Sequence, residues 1–355
     1  MKKEICFIMP SMSGGGAERV VSVLCNYFVE KDYKVSISLI DKDQIDYKLN
    51  EKIYVDKSLL SNKKGIKRKI HRFNGIRKLL KSKPDAVFIS FLSMYNLYTL
   101  AAATGMKRQI IVSERLDPRK SLQNRKWLFG VRNRLYAKAD RVVFQTIEAK
   151  AFFPEAVKKK GVIIANPLKE GLPTRYAGVR RKEVVTFARL EPQKNYPLLI
   201  EAFEKFKDVY PEYTLAIFGK GSMEEKLKEI VKEKNMNSSV KFYGFCNTLH
   251  AQIKDAAMFV LPSDYEGLSN SMLEAMAIGL PVICTDCPPG GARMFIKDGE
   301  NGLLVPVKDA DAMLNAMCRI AENPEFADKL SANAEKVKEE LHVDSICEQW
   351  EQIIN

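Results

Sequence analysis

Residues 263–296 read SDYEGLSNSMLEAMAIGLPVICTDCPPGGARMFI. The order is a glycine-containing loop, a helix, an apolar strand and a second glycine-proline loop, which is typical of a parallel α/β unit. The stretch holds two glutamates, Glu266 and Glu274, with seven residues between them. A carboxylate at a strand exit and another at the start of the next helix can face one ligand. Each can accept hydrogen bonds from adjacent hydroxyls of a polyol.

The same glutamates have a purely structural interpretation. Ser271 and Glu274 have the spacing of a capping box, in which the serine caps the helix and the glutamate returns to the serine N–H. Glu274 would then only start the helix, and Glu266 would be a surface loop residue. This segment alone leaves both interpretations open, so the decision rests on the rest of the chain.

The chain around this stretch alternates strands and helices in two series, at residues 5–165 and 184–284. Such alternation predicts an α/β fold of two doubly wound Rossmann-like domains that face each other across a cleft. We expect an N-terminal domain (1–167), a linker (168–181), a C-terminal domain (182–335) and a C-terminal helical segment (336–355) that packs back on the first domain.

Charge is divided unevenly between the two halves. Residues 1–175 carry 36 basic and 16 acidic side chains, a net charge of +20, whereas the remaining 180 residues have a net charge of −7. This asymmetry indicates that the N-terminal half meets an anionic partner. Nucleic acid, an anionic membrane surface and a phosphorylated substrate are the candidates.

A basic amphipathic helix is predicted between Asn62 and Pro84. Ten basic residues and no acidic residue lie there, with isoleucine, phenylalanine and leucine at helical spacing. This pattern is typical of helices that lie on anionic membranes, although the apolar stripe can also pack on a domain core. The basic residues are Lys63, Lys64, Lys67, Arg68, Lys69, Arg72, Arg77, Lys78, Lys81 and Lys83. A second basic helix follows, with Arg125, Lys126, Arg132, Arg134 and Lys138.

A glycine loop, SMSGGG at residues 11–16, separates the first strand from the first helix. Gly14, Gly15 and Gly16 would let the backbone approach an anion at the positive end of the helix. The loop is neither a GxGxxG nor a Walker sequence. A phosphate or acceptor loop and a plain tight turn are both compatible with it.

No metal or cofactor is predicted from the residue pattern. The seven cysteines are scattered, and the CxxC pair Cys284 and Cys287 has no second pair to complete a metal site. The sequences 41–43 and 309–311 match DxD only superficially. Reduced thiols in a cytoplasmic protein are expected.

Residues 86–106 lack charge over a length that could span a bilayer. They also contain Ser90, Ser93, Asn96 and Thr99, and they divide naturally into a strand, a turn and a helix. A buried strand–helix unit is therefore the preferred prediction. The short apolar run near the N-terminus is too short for a signal peptide.

Four motifs of the chain have the order and spacing that occur together in a known protein family. They are GGGAER (14–19), ARLEPQKN (188–195), FGKG (218–221) and the E-x7-E stretch that starts at Glu266. Together they resemble the GT-B-fold retaining glycosyltransferases of glycosyltransferase family 4. The sequences GLPV (279–282) and DCPPGG (286–291) look like its bacterial branch, which builds lipopolysaccharide, capsule and lipid-linked glycans. The resemblance is dense in the C-terminal half and thinner in the N-terminal half.

The resemblance implies roles for individual residues. Glu274 would hold the donor ribose, Glu266 would contact the donor sugar, and Arg189 and Lys194 would bind the diphosphate and offset charge on the leaving group. Further donor contacts are expected from Gly267, Leu268, Ser269, Asn270, Gly219, Lys220 and Phe245. Eight basic residues are expected to contact membrane or lipid phosphate: Lys63, Lys64, Lys67, Arg68, Lys69, Arg72, Arg77 and Lys78.

The expected reaction retains the anomeric configuration and needs no metal, and a diphosphate oxygen can take the acceptor proton. Many relatives carry a histidine in the N-terminal domain after the strand that corresponds to residues 109–113. This chain has Glu114 and Arg115 there. Glu114 is therefore the candidate for a catalytic role in that domain.

The sequence thus predicts a hexosyltransferase that is peripheral on the cytoplasmic membrane face. It would move a hexose or N-acetylhexosamine from a nucleotide-sugar, expected to be a UDP-sugar, to a lipid-linked or polysaccharide acceptor. One alternative is a GT-B-fold epimerase or hydrolase of nucleotide-sugars. A second is a nucleic-acid-binding protein, although aromatic residues are not interleaved with the basic ones as base stacking requires.

Overall fold

The computed structural model describes residues 2–122, 125 and 127–355. Lys126 of the second basic helix lies outside the described residues. The chain forms two compact units. Unit 1 contains residues 1–167 and 343–355, and unit 2 contains residues 168–342.

Unit 1 is built on a seven-stranded parallel sheet in the order β3-β2-β1-β4-β5-β6-β7. The strands are β1 (Glu4–Met9), β2 (Lys34–Leu39), β3 (Tyr54–Asp56), β4 (Val87–Phe91), β5 (Gln109–Ser113), β6 (Arg141–Phe144) and β7 (Gly161–Ile163). The helices are α1 (Gly16–Glu30), α2 (Gly65–Ser82), α3 (Ser93–Ala102), α4 (Leu128–Tyr136), α5 (Ile147–Ala151) and α6 (Glu155–Lys158), with α14 (Val343–Ile354) at the end of the chain.

Unit 2 is built on a six-stranded parallel sheet in the order β10-β9-β8-β11-β12-β13. Its strands are β8 (Arg181–Phe187), β9 (Thr214–Phe218), β10 (Val240–Gly244), β11 (Ala256–Leu261), β12 (Val282–Thr285) and β13 (Leu303–Val305). Its helices are α7 (Tyr196–Val209), α8 (Glu224–Glu233), α9 (Leu249–Ile253), α10 (Asn270–Ala277), α11 (Ala310–Glu322), α12 (Pro324–Ala334) and α13 (Val337–Glu340).

Both sheets have the doubly wound topology that the alternation predicted. The central strands β4 and β11 are buried along their whole length, as expected for parallel strands covered by helices on both faces. Helix α1 buries Val20, Val21, Leu24 and Phe28 on one face, which is the stripe that its sequence periodicity indicates. The predicted fold class of two Rossmann-like domains is confirmed.

The segment 168–181 differs from the simple linker that its composition suggested. It contains no regular element before β8, yet it is part of unit 2. The Leu168 N–H donates to the Leu341 carbonyl (3.0 Å), and Arg175 forms an ion pair with Asp328 (2.5 Å). Long-range partners that sequence patterns do not reveal therefore tie the segment to the α12–α13 region.

The C-terminal helix α14 belongs to unit 1. Its Trp350 is fully buried and stacks on Phe91 at the end of β4, with ring centroids 5.6 Å apart. Lys3 and Gln109 donate hydrogen bonds to the Ile354 carbonyl, at 3.0 and 2.9 Å. The last residues of the chain therefore complete the core of the domain in which the chain begins.

Helix α2 packs only partly on the core. Ile76, Leu79 and Leu80 are buried, as the apolar stripe predicts, but Ile66 is 66% and Ile70 53% exposed. The alternative in which the apolar stripe packs on the domain core therefore holds for the second half of the helix but not for the first. That half presents isoleucines to the surroundings between exposed lysines.

The uncharged residues 86–106 contain strand β4 and helix α3, the predicted strand–helix pair. Ser90, Ser93, Asn96 and Thr99 are all buried. Among the described residues, no helix has both the length and the apolar character needed to cross a bilayer.

The two tryptophans of the chain provide a matched test of the role of α14. Trp350→Ala removes a fully buried side chain and should lower the free energy of unfolding by about 3–5 kcal/mol. Trp127, which is 74% exposed, serves as the control, and Trp127→Ala should change it by less than about 0.5 kcal/mol. Urea unfolding followed by circular dichroism measures both. Equal effects of the two substitutions would contradict the packing of α14 in the core of unit 1.

Candidate active site

The candidate donor site lies where the strand order of the unit 2 sheet reverses. Strands β8, β9 and β10 are added in one direction, and β11 then pairs with the other side of β8. Ligands of doubly wound sheets bind outside the carboxyl ends of the strands at such a switch point. The two loops that flank this point, residues 188–195 after β8 and 262–269 after β11, carry most of the predicted donor residues.

A buried ion pair joins these two loops. The Lys194 ammonium contacts Glu266 Oε1, and the two side chains are 9% and 13% exposed. Ser263 Oγ donates to the same carboxylate oxygen (3.2 Å), and Gln193 Nε2 approaches it at 3.5 Å. Two residues that the sequence assigned separately to the diphosphate and the sugar are therefore direct partners here.

Local backbone geometry explains how Lys194 reaches the ion pair. A single 3-10 turn, Pro192–Lys194, ends at Asn195, which has a left-handed conformation with φ of 46°. Asparagine tolerates this conformation better than most residues. Its side chain donates to Asp264 (2.8 Å), and the Asp264 N–H donates to the Gln193 carbonyl (2.9 Å). The loops after β8 and β11 are thus joined by side-chain and backbone hydrogen bonds.

The glycine-proline loop after β12 contacts the backbone of Glu266. The Glu266 N–H donates to the Pro288 carbonyl at 3.0 Å. A Cβ atom on Gly291 would lie 2.1 Å from the Gly267 carbonyl oxygen. A residue larger than glycine would therefore fit here only if the backbone moved. The glycine therefore permits a close approach that fixes the start of the 267–270 segment.

The helix start differs from the capping box considered above. Helix α10 begins at Asn270, and Ser269 is its N-cap, with Ser269 Oγ accepting from the Met272 N–H (3.4 Å). Ser271 lies inside the helix, so the alternative interpretation with Ser271 as N-cap is wrong. Glu274 therefore lies in the second turn rather than at the position that a capping box requires.

Glu274 instead has a histidine partner that sequence reasoning missed. Nε2 of His250 and Oε2 of Glu274 are 2.9 Å apart, and the two side chains are 11% and 12% exposed. His250 belongs to α9, between β10 and β11. Two features could have indicated His250 as a site residue. It lies in the connection that crosses the switch point, and the chain has only three histidines.

The loop after β9 packs directly against the loop that carries Arg189. Gly219 has φ of 131°, and a Cβ atom there would lie 2.0 Å from the Ala188 carbonyl oxygen. The Leu190 N–H donates to the Lys220 carbonyl at 3.0 Å. The Arg189 side chain is exposed, and no ion pair of this side chain occurs within the described part of the chain. Arg189 therefore offers an exposed cation at this edge of the sheet.

The predicted base-contacting region lies beyond β10. Phe245 is 73% exposed, and Tyr243 stacks on Phe218 with ring centroids 4.7 Å apart. An exposed aromatic residue thus follows, two positions later in the chain, an aromatic pair at the ends of β9 and β10. Such rings can stack on a nucleobase.

The glycine loop of unit 1 is occupied by groups of the protein itself. The Gly14 N–H donates to Asp46 Oδ2 (2.8 Å), and the Tyr47 hydroxyl donates to the Gly15 carbonyl (2.8 Å). The Glu18 carboxylate lies against Gly15, where a Cβ atom would be 2.1 Å from its oxygen. Gly14 and Gly16 are exposed. A phosphate at this loop would meet two carboxylates.

Glu114, the catalytic candidate of unit 1, is 2% exposed. Its carboxylate accepts hydrogen bonds from Ser93 Oγ (2.5 Å) and the Tyr136 hydroxyl (3.0 Å). Burial raises the pKa of this carboxyl, and the charge of Arg132 opposes the increase. These contacts join the end of β5 to α3 and α4. Glu114 is therefore better placed to support these elements than to contact a substrate.

The eight basic residues proposed for membrane or lipid-phosphate contact fall into two groups. The five lysines (Lys63, Lys64, Lys67, Lys69 and Lys78) are exposed. The three arginines attach α2 to the body of unit 1: Arg68 and Arg72 pair with Asp41, and Arg77 donates to the Ala102 carbonyl (2.7 Å). A cavity of about 370 Å³ along α2 is lined by Lys63, Lys67, Ile70, His71, Asn74, Gly75 and Lys78.

The CxxC cysteines are free thiols inside unit 2. Cys284 and Cys287 are both buried, and burial raises the pKa of Cys287 to about 12. Both thiols are therefore protonated near neutral pH. No cluster of three or more potential metal-ligating side chains is found in the residues that the structure describes.

The C-terminal half matches a known family. Residues 177–337 match the sequence model of the glycosyl transferases group 1 family. An uncharacterized glycosyltransferase of Haemophilus influenzae is 26% identical over the full length of both chains. A Campylobacter jejuni relative, GalNAc-alpha-(1->4)-GalNAc-alpha-(1->3)-diNAcBac-PP-undecaprenol alpha-1,4-N-acetyl-D-galactosaminyltransferase, is 27% identical over 99% of this chain and 98% of that protein.

Solved structures show the same fold. Sucrose-phosphate synthase from Thermosynechococcus elongatus superposes with a TM-score of 0.84 at 20% identity, covering 99% of this chain and 98% of that chain. Anabaena HepE in complex with UDP and glucose has a TM-score of 0.84 at 18% identity, with 99% of both chains covered. The chain therefore has the GT-B fold, and residues 177–337 are similar to the glycosyl transferases group 1 family.

Proposed function

We propose that this protein is a retaining, metal-independent glycosyltransferase acting at the cytoplasmic face of the membrane. It transfers a hexose or N-acetylhexosamine from a nucleotide-sugar, with UDP as the expected nucleotide, to a lipid-linked or polysaccharide acceptor. The observation that carries the proposal is the buried Lys194–Glu266 pair at the switch point of the unit 2 sheet. The bacterial relative whose name specifies a diphosphoundecaprenol acceptor supports the acceptor class.

The donor residues suit the two ends of a nucleotide-sugar. Glu266 is held by Lys194 and Ser263, and a carboxylate retains capacity for sugar hydroxyls because it offers about four acceptor positions. Lys194 is partly neutralised by this pair. The exposed Arg189 and the N–H groups at the start of α10 therefore supply much of the attraction for the diphosphate. Positive charge there stabilises the departing nucleoside diphosphate.

Gly219 and Lys220 pack against the loop that carries Arg189. The nucleobase would extend past them toward Phe245, and Glu274 would receive the ribose hydroxyls. A donor bound in this way would have carboxylates against its hydroxyls and cations against its phosphates. No protein nucleophile or metal is required, because a diphosphate oxygen can take the proton of the acceptor hydroxyl.

Unit 1 supports an acceptor carrying lipid phosphate. Five exposed lysines and the cavity along α2 provide positive charge and space for a phosphorylated headgroup. Exposed Ile66 and Ile70 lie among these lysines, the combination found in helices that lie at membrane surfaces. Gly14–Gly16, with carboxylates nearby, suit acceptor hydroxyls better than a second phosphate.

A thermal-shift screen of nucleotide-sugars, followed by mass measurement of the acceptor product, tests the proposed reaction. A stabilising nucleotide-sugar and an acceptor mass increased by one sugar residue are expected. Sugar release or isomerisation at the same rate without acceptor would contradict transfer and indicate a hydrolase or epimerase. Binding of nucleic acid at physiological salt, without nucleotide-sugar binding, would overturn the proposal.

Glu266→Gln tests the donor site against a matched control. The substitution removes the carboxylate charge that orients Lys194 and the sugar, and transfer should fall by roughly 100-fold or more. Glu204→Gln alters another Lys–Glu pair of unit 2, Lys234–Glu204, and should leave turnover within about twofold of wild type. Steady-state transfer rates measure both, and Arg189→Ala should resemble Glu266→Gln. Full activity of Glu266→Gln and Arg189→Ala would refute the assigned roles.

Replacing the five exposed lysines of the α2 region by glutamine tests membrane contact. Binding to vesicles containing anionic lipid should weaken by roughly 100-fold or more, since each lysine near such a surface contributes about 1 kcal/mol. The control replaces five exposed lysines of unit 2 (Lys182, Lys226, Lys232, Lys241 and Lys254) and gives the same net charge. Vesicle sedimentation at low and high salt measures binding. Equal losses in both variants, or equal wild-type binding to neutral vesicles, would exclude a specific role for α2.

A further inference from the structure

We propose that His250 is a positioning residue for the donor ribose, acting through Glu274. The inference rests on the proposed function, in which the Glu274 carboxylate receives the ribose hydroxyls. The contact that carries it joins His250 Nε2 to Glu274 Oε2 at 2.9 Å, with both side chains nearly nine-tenths buried.

The topology of the sheet brings His250 to this place. Strand β10 is at the edge of the unit 2 sheet, whereas β11, the next strand in sequence, pairs with β8 in its centre. The connection between them must therefore cross β9 and β8. Helix α9 begins at Leu249 in this connection, and the His250 ring meets Phe187 at the end of β8. The connection between β10 and β11, which creates the switch point, therefore also positions His250 there.

Packing limits the orientation of the imidazole ring. The Phe187 ring lies edge-on to it, with centroids 5.7 Å apart and an interplanar angle of 86°. Phe187 in turn packs on Phe259 of β11 at 4.8 Å. The ring is therefore held by residues of the two central strands, and its Nε2 is directed at Glu274.

The hydrogen bond restricts the carboxylate that the ribose requires. A glutamate side chain has three rotatable bonds, and ordering it at the moment of binding costs conformational entropy. A partner that holds Oε2 beforehand reduces this cost and sets the plane of the carboxylate, which determines whether two adjacent hydroxyls can both donate to it. His250 need not touch the ribose to affect its binding.

Four variants separate positioning from general stability: His250→Ala, His250→Gln, Glu274→Ala and the double alanine variant. Glutamine is the conservative replacement because its side-chain amide can donate near the position of Nε2. UDP, GDP, ADP and CDP are titrated by calorimetry, and the tightest binder is compared with its 2′,3′-dideoxy counterpart. Urea unfolding without ligand measures stability separately.

His250→Ala should weaken binding of the ribonucleoside diphosphate by about tenfold, a size expected for loss of a hydrogen bond to a charged group. Binding of the dideoxy counterpart should change by less than about twofold, because it lacks the hydroxyls that Glu274 receives. His250→Gln should recover most of the affinity. In the Glu274→Ala background the His250 substitution should have little further effect, since contacting residues that act through one another are not additive.

The outcomes distinguish a failure of the positioning role of His250 from a failure of the proposed donor site. Equal effects of His250→Ala on both nucleotides, or additive losses in the double variant, would overturn the positioning role of His250 while leaving the donor site intact. Unchanged ribonucleotide binding by Glu274→Ala, or no binding by the wild-type protein, would overturn the proposed donor site and this inference with it.

Discussion

The buried ion pair between Lys194 and Glu266 is the interaction on which the candidate site depends. Removing two charges from water costs several kcal/mol per ion, and the attraction offsets this cost only when further hydrogen bonds satisfy the pair. Glu266 receives such a bond from Ser263, and its backbone N–H bonds the Pro288 carbonyl. The loops after β8, β11 and β12 are consequently joined through one residue, Glu266, whose carboxylate contacts Lys194 and Ser263 and whose N–H contacts Pro288. A change in any of these three loops therefore alters the position of Glu266.

Close backbone contacts impose the second constraint. Gly219 lies against the Ala188 carbonyl and Gly291 against the Gly267 carbonyl, at distances that leave no room for a side chain. These contacts bring the loop after β9 against the one after β8, and the loop after β12 against the one after β11. The site edge is therefore built from backbone packing as well as from charge, which keeps it preorganised for a polar ligand.

The sequence was sufficient for the fold because strand and helix signals are local. Alternation of apolar strands with amphipathic helices predicted both sheets, whereas a common ligand for Glu266 and Glu274 stays a prediction. The errors concern where a helix begins and which side chains lie outside the core. The N-cap of α10 is Ser269 rather than Ser271, which depends on where the loop after β11 ends. Local periodicity likewise could not show that Ile66 and Ile70 lie outside the core.

His250 illustrates a further limit of sequence reasoning. Its partner Glu274 is 24 residues away, and a strand and the switch-point crossing separate them. Only the strand order brings the two together. The segment 168–181 is similar, because its composition resembles a linker while Arg175 and Leu168 have partners more than 150 residues later. Irregular segments take their structure from such partners rather than from their own propensities.

Hydrogen–deuterium exchange with and without the tightest-binding nucleoside diphosphate tests the central claim most directly. The claim is that the nucleotide binds at the carboxyl edge of the unit 2 sheet, on the loops joined by Lys194 and Glu266. Slower exchange is predicted in residues 189–195 and 266–274, with no change in residues 65–82 of α2. Protection confined to unit 1, with both loops unaffected, would contradict the account.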